Sequence, residues 1–286
     1  MITTTSPSVI IPTSLSDALA ALSAEGASAA PLAGGTWIMR TPLRHEAFAP
    51  AYVALGRIPE LTGITEAGQA VEIGAAVTHA TLAAALAAFP EFAALRAAAG
   101  SSANPAVRNA ATIGGNLCTS DFAAADLVPA LLCLDASVET VGADGTERMT
   151  IADFLTQRAD LLPGRILTKV ILQRSDRRSV HVRLPLRKAG DYPVAIVSMA
   201  AAIDDMGQIE TMRVAVGSVE TVARRWTALE EALVKLPLDP ARTAEIARSL
   251  MNDFIGREGV DAPGWYRVQV LPALAARAVA ALATKA

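Results

Sequence analysis

Cysteine is scarce. The chain has two, Cys118 and Cys133, among 286 residues. Two thiols cannot build a disulfide framework, a Cys-ligated zinc site or an iron–sulfur cluster. They read as reduced, buried thiols, which points to a cytoplasmic compartment. The three histidines, His45, His79 and His181, lie far apart without ligand spacing, so no protein-ligated metal is expected. Long apolar runs are missing too. "VAIVSMAAAI", Val194 to Ile203, reaches only about half the length of a membrane span, and no membrane span is expected. The opening "MITTTSPSVIIPTSLSDALAAL" lacks a basic segment followed by an apolar core, so no signal peptide is expected. Net charge is −3, from 25 basic and 28 acidic residues. No clustered basic surface marks a nucleic-acid partner. The densest basic run, "RSDRRSVHVRLPLRK" (Arg174 to Lys188), is broken by strand-like residues. It reads as a solvated edge, with anion binding as the sharper alternative.

What the chain does have is alanine. Hydrophobic residues make up 52% and charged residues 19%, which excludes disorder. An Ala-rich surface of low charge fits a subunit that buries area in a complex; compositional bias of the source genome would look the same. The length suits two domains. Residues up to about Leu172 alternate short strands and helices without a βαβ rhythm, which gives α+β rather than a doubly wound sheet. "SLSDALAALSAEG" is a helix capped by Ser14 or Ser16 and stopped at Gly26. "TLAAALAAF" and "PEFAALRAAAG" are helices, the second with Pro at its start and Gly at its end. Hairpin turns fall at Ala67–Gly68 and Asp144–Gly145. Beyond Leu172, "SVHVRLPLRK" and "VAIVSMAAAIDDMGQIETMRVAVGSV" are antiparallel strands. Two helices follow, and "APGWYRVQVLPALAARAVAALATKA" ends the chain as one long amphipathic helix.

Two glycine pairs stand out, "PLAGGTWIM" (Pro31 to Met39) and "TIGGNLCTSDFAAADLVPALLCLDA" (Thr112 to Ala136). Consecutive glycines let backbone N–H groups converge without side-chain obstruction, and such a nest takes anionic oxygens, typically phosphate. Two of them would clamp a pyrophosphate, with Thr36, Thr112 and Asn116 adding hydroxyl and amide bonds. Two plain tight turns are the competing reading. There is no Gly-x-Gly-x-x-Gly after a first strand, no Walker lysine and no Gly-x-Ser-x-Gly elbow. From the residues alone the chain is a dinucleotide-type binder or an unremarkable pair of turns.

The combination of segments is more specific. "PLAGGTWIM" resembles the first flavin loop of the FAD-binding medium subunit of molybdenum hydroxylases, the xanthine dehydrogenase and carbon monoxide dehydrogenase family. "VRNAATIGGNLC…ADLVPALLCLDA" resembles its second flavin loop and the helix behind it. "DFLTQRADLLPGRILTKVIL", "RKAGDYPVAIVSMAAAI", "VAVGSVETVARR" and "GWYRVQVLPALAARAV" continue the likeness in family order over nearly the whole chain. The resemblance implies a two-part FAD-binding domain of the vanillyl-alcohol oxidase and MurB type over residues 1–175. Residues 176–286 would form a C-terminal domain with an antiparallel sheet covered by helices. It implies FAD in this chain, and no catalytic side chain of its own. A large partner subunit would carry the molybdopterin cofactor and a small one two 2Fe–2S clusters, assembled as a dimer of heterotrimers that delivers electrons to an external acceptor. A self-contained FAD oxidase or dehydrogenase of the same domain type is the alternative. That would need its own base and often a covalent flavin link, and none of the histidines sits in such a loop.

Residue by residue, the resemblance implies that Ala33, Gly34, Gly35, Thr36 and Trp37 meet the FAD pyrophosphate and nearby ribityl chain. Thr112, Gly114, Gly115 and Asn116 would lie on the other side. Asp126 matches the family aspartate that bonds a hydroxyl or amide of FAD. "TSDFAAAD" replaces the family's shorter "ASPAAD", however, so Asp121 competes with it. Leu167 matches an apolar residue beside the isoalloxazine or adenine. Arg183 and Lys188 compete as the basic residue near the flavin, and Tyr192 matches an aromatic over one ring face. Each has a plainer alternative. Asp126 would N-cap "LVPALL", Lys188 would be a solvated strand end, and Tyr192 a core aromatic. Trp37 would offer only its backbone N–H, and His79 would be a satisfied histidine at a helix start.

Overall fold

The computed structural model describes residues 6–162, 164–186 and 192–284. In chain order it opens with β1 (Ser8–Ile10), α1 (Leu15–Glu25), β2 (Ala29–Leu32), β3 (Ala51–Ala54), β4 (Ile64–Ala67) and β5 (Ala70–Gly74). Next come α2 (His79–Ala85), α3 (Ala93–Ser101), α4 (Pro105–Ala110), α5 (Ile113–Cys118) and α6 (Leu127–Cys133). A hairpin β6 (Ser137–Gly142) and β7 (Gly145–Thr150), then α7 (Ile151–Leu161) and β8 (Arg165–Gln173), close the first part. The remainder is β9 (Arg178–Pro185), β10 (Pro193–Ile203), β11 (Ile209–Gly217), β12 (Arg224–Arg225), α8 (Thr227–Leu233), α9 (Pro240–Ser249), α10 (Gly264–Gln269) and α11 (Leu271–Ala283). The protein is α+β, as its sequence pattern implies.

Contacts divide the chain into two compact units. The first holds the chain up to His79 with Ala106–Thr119 and Ser137–Gln173; the second holds Ala80–Pro105, Ser120–Ala136 and the chain from Arg174 onward. In the first unit, β1, β3 and β2 form a parallel three-stranded sheet in that order. Helix α1 starts where Ser14 accepts a hydrogen bond from the Asp17 N–H at 3.1 Å, a serine N-cap. It packs on β2 and β3 over a core of Ala18, Val53, Ile58 and Leu61. The second sheet is antiparallel, ordered β4-β5-β8-β6-β7.

The second unit is built on an antiparallel sheet ordered β12-β11-β10-β9. Strand alternation gives it two faces. Val180, Val182 and Leu184 with Ala195, Val197 and Met199 join Trp226, Leu229, Leu274 and Ala278 in one core cluster. On the opposite face, α3 packs on β9 and α6 on β10 and β11. The antiparallel sheet covered by helices is therefore present, with helices on both faces. The terminal helix differs from its sequence expectation. It is two helices, α10 and α11, because Pro272 in the first turn of α11 cannot donate to a preceding turn and its ring blocks one.

Two carboxyls tie stability to pH. Burial raises the Glu139 carboxyl. Hydrogen bonds from Arg148 and Thr168 and the Lys169 charge outweigh that and hold it below its ordinary 4.5. Burial likewise raises Asp261, and the Arg267 hydrogen bond with the Arg267 and Arg257 charges holds it below 3.8. A depressed folded-state value means the unfolded chain binds more protons in this range. The stabilisation is thus complete above pH 4.5 and is lost as pH falls through the lowered values. Melting temperature measured from neutral pH downward is expected to fall through this range, and less steeply in Asp261→Asn than in wild type.

Candidate functional site

The "AGGT" turn follows β2 directly. Leu32 still accepts from the Leu55 N–H at 2.8 Å, and then the chain turns away. Gly35 takes a positive φ of +70°, which L side chains avoid. The Met39 N–H returns to the Gly35 carbonyl at 2.8 Å and opens the short 3-10 segment Ile38–Arg44. Gly34 is glycine for another reason. A Cβ there would lie 1.8 Å from the Ala110 carbonyl oxygen. The first glycine turn therefore packs backbone to backbone against the end of α4, just ahead of Thr112. The N–H groups of Gly34, Gly35 and Thr36 donate to no group among the described residues. Free amides at a turn that no side chain blocks suit the oxygens of a pyrophosphate.

"TIGGN" does a different job. It is the first turn of α5, with Thr112 as N-cap accepting from the Gly115 N–H at 3.0 Å. The Ile113 N–H donates to Val77 at 3.0 Å, Gly114 to Ala75 at 2.8 Å and Asn116 to Thr112 at 3.0 Å. All four amides are committed, so this segment is not the open nest its glycines suggest. The cause is position. Ile113 and Gly114 run beside the chain leaving β5, whose carbonyls take their protons. Gly114 lacks a side chain because a Cβ would sit 2.7 Å from the Ala75 oxygen. Gly115 and Asn116 are half-buried.

Sequence reasoning missed Arg158. It is 5% exposed on α7 and donates to the Leu117 carbonyl, fixing the far end of α5. Its one sequence signal is an arginine among the apolar spacing of "IADFLTQRADL". Desolvation pushes the neighbouring Cys118 thiol up to about 12 against the pull of Arg158, and burial raises Cys133 further. Both cysteines are free and are inert thiols at neutral pH.

The other expected residues fall as follows. The Trp37 ring carries the Arg44 guanidinium 4.2 Å from its centre, and its carbonyl accepts from Arg44 at 3.1 Å. Leu167 is buried on β8 opposite Thr140. In the second unit, Asp126 stands at the N-cap position of α6 yet makes no capping hydrogen bond. It is buried, and its Oδ1 accepts from Arg183 Nε at 3.0 Å. Asp121 is exposed in a turn. Arg183 also donates to the Ser101 carbonyl at 3.1 Å. Tyr192 is half-buried, edge-on to Phe122 with ring centres 5.2 Å apart. Lys188 lies outside the described residues. His79 is buried, with its backbone N–H on the Ala111 carbonyl. Among the described residues no cluster of His, Cys, Asp and Glu could hold a metal ion, and no helix is long and apolar enough to cross a membrane.

An α+β unit whose first glycine turn keeps three free amides is the kind of fold that suits a dinucleotide-binding protein. Comparison with known proteins narrows this. Residues 4–173 match the family described as the FAD-binding domain in molybdopterin dehydrogenase, and residues 181–282 match the CO dehydrogenase flavoprotein C-terminal domain. The nicotine 6-hydroxylase medium subunit of Paenarthrobacter nicotinovorans is 30% identical over 81% of both chains. The 6-hydroxypseudooxynicotine dehydrogenase complex subunit alpha of the same organism is 27% identical over 95% of this chain and 92% of its own. A solved structure, reconstituted CO dehydrogenase from Oligotropha carboxidovorans, superposes with a TM-score of 0.88 at 27% identity, covering 96% of this chain and 97% of that one. The chain belongs to the family of FAD-binding subunits of the molybdenum hydroxylases. It is an oxidoreductase subunit whose own cofactor is FAD.

Proposed function

We propose that this chain holds FAD in the electron path between a small 2Fe–2S subunit and an external acceptor, while a large molybdopterin subunit oxidises the substrate. The observation that carries the reading is the contact of Gly34 with Ala110 beside three uncommitted amides. FAD, when bound, supplies the two-electron to one-electron chemistry that no side chain has. The protein's own residues bind and orient. Gly34, Gly35 and Thr36 give their N–H groups to the pyrophosphate, Ala33 and Trp37 flank them, and the Thr112, Gly114, Gly115 and Asn116 segment forms the adjoining wall. Leu167, Asp126, Arg183 and Tyr192 are further contacts that the family resemblance supports. The assembly would be a dimer of heterotrimers in the cytoplasm, in keeping with the two free thiols. The family matches fall on either side of residues 174–180, which supports domains of 1–175 and 176–286.

The test is purification of the chain alone and after co-expression with its neighbouring subunits. The expected result is a flavin spectrum from the chain alone, with molybdenum and iron appearing only in the complex. Substrate turnover by the isolated chain would favour a self-contained oxidase, and a colourless chain that takes up no added FAD would overturn the cofactor assignment.

A further inference from the structure

Within the second unit, Ser198, His181, Asp126 and Arg183 form a buried polar chain. Strands β9 and β10 run antiparallel with His181 directly opposite Ser198 and Arg183 opposite Ile196. Residues two apart share a face, so His181 and Arg183 point the same way, towards Asp126 at the start of α6. His181 Nδ1 lies 2.9 Å from Ser198 Oγ. Its Nε2 lies 3.8 Å from Asp126 Oδ1, the oxygen that accepts from Arg183 Nε. The side chains of His181 and Asp126 are 1% and 7% exposed. His181 Nε2 is buried and makes no hydrogen bond. A buried polar atom left so carries a desolvation penalty and calls for an explanation. Asp126 Oδ2 accepts nothing among the described residues, yet it is not among the buried atoms without a partner. Among the described residues one carboxylate oxygen is held from behind, and the other has no donor.

We propose that His181, set by Ser198, is a positioning residue for Asp126 that presents Oδ2 as an acceptor to a hydroxyl or amide N–H of the ligand. This rests on the reading that the ligand is FAD. In this arrangement the Ser198 hydroxyl would donate to Nδ1, which leaves the imidazole proton on Nε2, aimed at Asp126. Arg183 neutralises the carboxylate on the same oxygen. A donor on Oδ2 draws the carboxylate into one orientation, and a small rotation closes the His181 Nε2 gap to bonding distance. Ligand capture and completion of the buried chain are then one event.

The test is a double-mutant cycle on the full-length chain, read as the FAD dissociation constant after removal and re-addition of FAD, with the visible flavin spectrum alongside. His181→Leu is expected to weaken binding about tenfold, a loss of about 1.4 kcal/mol. His181→Gln, whose amide nitrogen reproduces the Nε2 donor, is expected to recover most of it. In an Asp126→Asn background His181→Leu is expected to have no further effect, because the residue acts through that carboxylate. Equal losses in both backgrounds, or no loss in either, would overturn the proposal. If His181→Leu does not fold, Ser198→Ala takes its place in the same cycle with the same two outcomes. A wild-type chain that binds no FAD sinks the functional reading instead, so the two failures are distinct.

Discussion

Gly34→Ala is expected to yield a chain that does not retain FAD, and Gly35→Ala one that retains most of it. The two glycines are adjacent, but their needs differ. The added methyl at residue 34 would stand 1.8 Å from the Ala110 oxygen and 2.6 Å from the Ala110 carbonyl carbon. Both are backbone atoms and cannot swing aside, so the turn must back away from α4. That carries the Gly34, Gly35 and Thr36 amides off any pyrophosphate they bind. Hydrogen bonds to charged groups are worth about 1.5–3 kcal/mol each, so losing two costs at least about 3 kcal/mol, roughly a hundredfold in affinity. At residue 35 the nearest atom is the Leu32 side chain at 3.5 Å, an ordinary contact. Only the positive φ opposes alanine there, at about 1–2 kcal/mol. The measurements are FAD titration of the deflavinated variants and thermal melting of the same samples. Equal affinities for Gly34→Ala and wild type would remove "AGGT" from the site.

That contrast shows how far the sequence could be read. Glycine pairs announce that a backbone must turn or approach something, and both pairs do. They do not say which reason applies at which residue. The reason depends on a neighbour remote in sequence, Ala110 for Gly34 and Ala75 for Gly114. The same limit separates the two turns. "AGGT" keeps its amides free, while "TIGGN" spends its own on Ala75, Val77 and Thr112. Local signals were legible: the cap expected at Ser14 or Ser16 falls on Ser14, the Gly26 stop holds, and the hairpin turn expected at Asp144–Gly145 falls between Gly142 and Gly145. Asp126 shows the opposite case. Its place before "LVPALL" is a capping position, and only the fold of β9 brings Arg183 to its side chain and turns a cap into an ion pair. For the same reason nothing in residues 80–136 announces that α3 and α6 pack on a sheet drawn from beyond residue 174.

Arg267→Ala is expected to destabilise the second unit more than any surface substitution, and Arg267→Lys is expected to rescue little. Arg267 is fully buried on α10. Its guanidinium donates to the Val194 carbonyl at 2.8 Å, the Ser218 carbonyl at 3.2 Å, the Arg257 carbonyl at 3.1 Å and Asp261 Oδ2 at 2.8 Å. These acceptors come from β10, the end of β11 and the segment before α10, so one side chain ties three pieces of chain together. Sequence pattern hides this in plain view. Arg267 precedes Leu271, Leu274 and Ala278 by four, seven and eleven residues, so it sits on the apolar stripe of the terminal segment rather than its wet side. A charge on that stripe is tolerated only if its donors are satisfied. Removing it takes the guanidinium from the Val194 and Arg257 carbonyls, leaves Ser218 to Arg257 alone and strips Asp261 of its nearer cation, and breaking a buried pair costs about 3–5 kcal/mol. With about 2–4 °C per kcal/mol for a chain of this size, the melting temperature is expected to drop by roughly 10 °C. Lysine keeps the charge but brings a single compact donor head in place of a planar fork, and it cannot reach acceptors arrayed around five N–H bonds. Calorimetry of the three proteins at neutral pH reads the result. A lysine variant as stable as wild type would show that charge alone, rather than the bridging geometry, holds this corner. The arginine also shapes the acid response, because its hydrogen bond and charge, with a backbone hydrogen bond and the Arg257 charge, lower Asp261. Arg267→Ala is therefore expected to lose the part of the acid-dependent destabilisation that Asp261 carries, and the Asp261→Asn and Arg267→Ala pH profiles are expected to run parallel below pH 4.5.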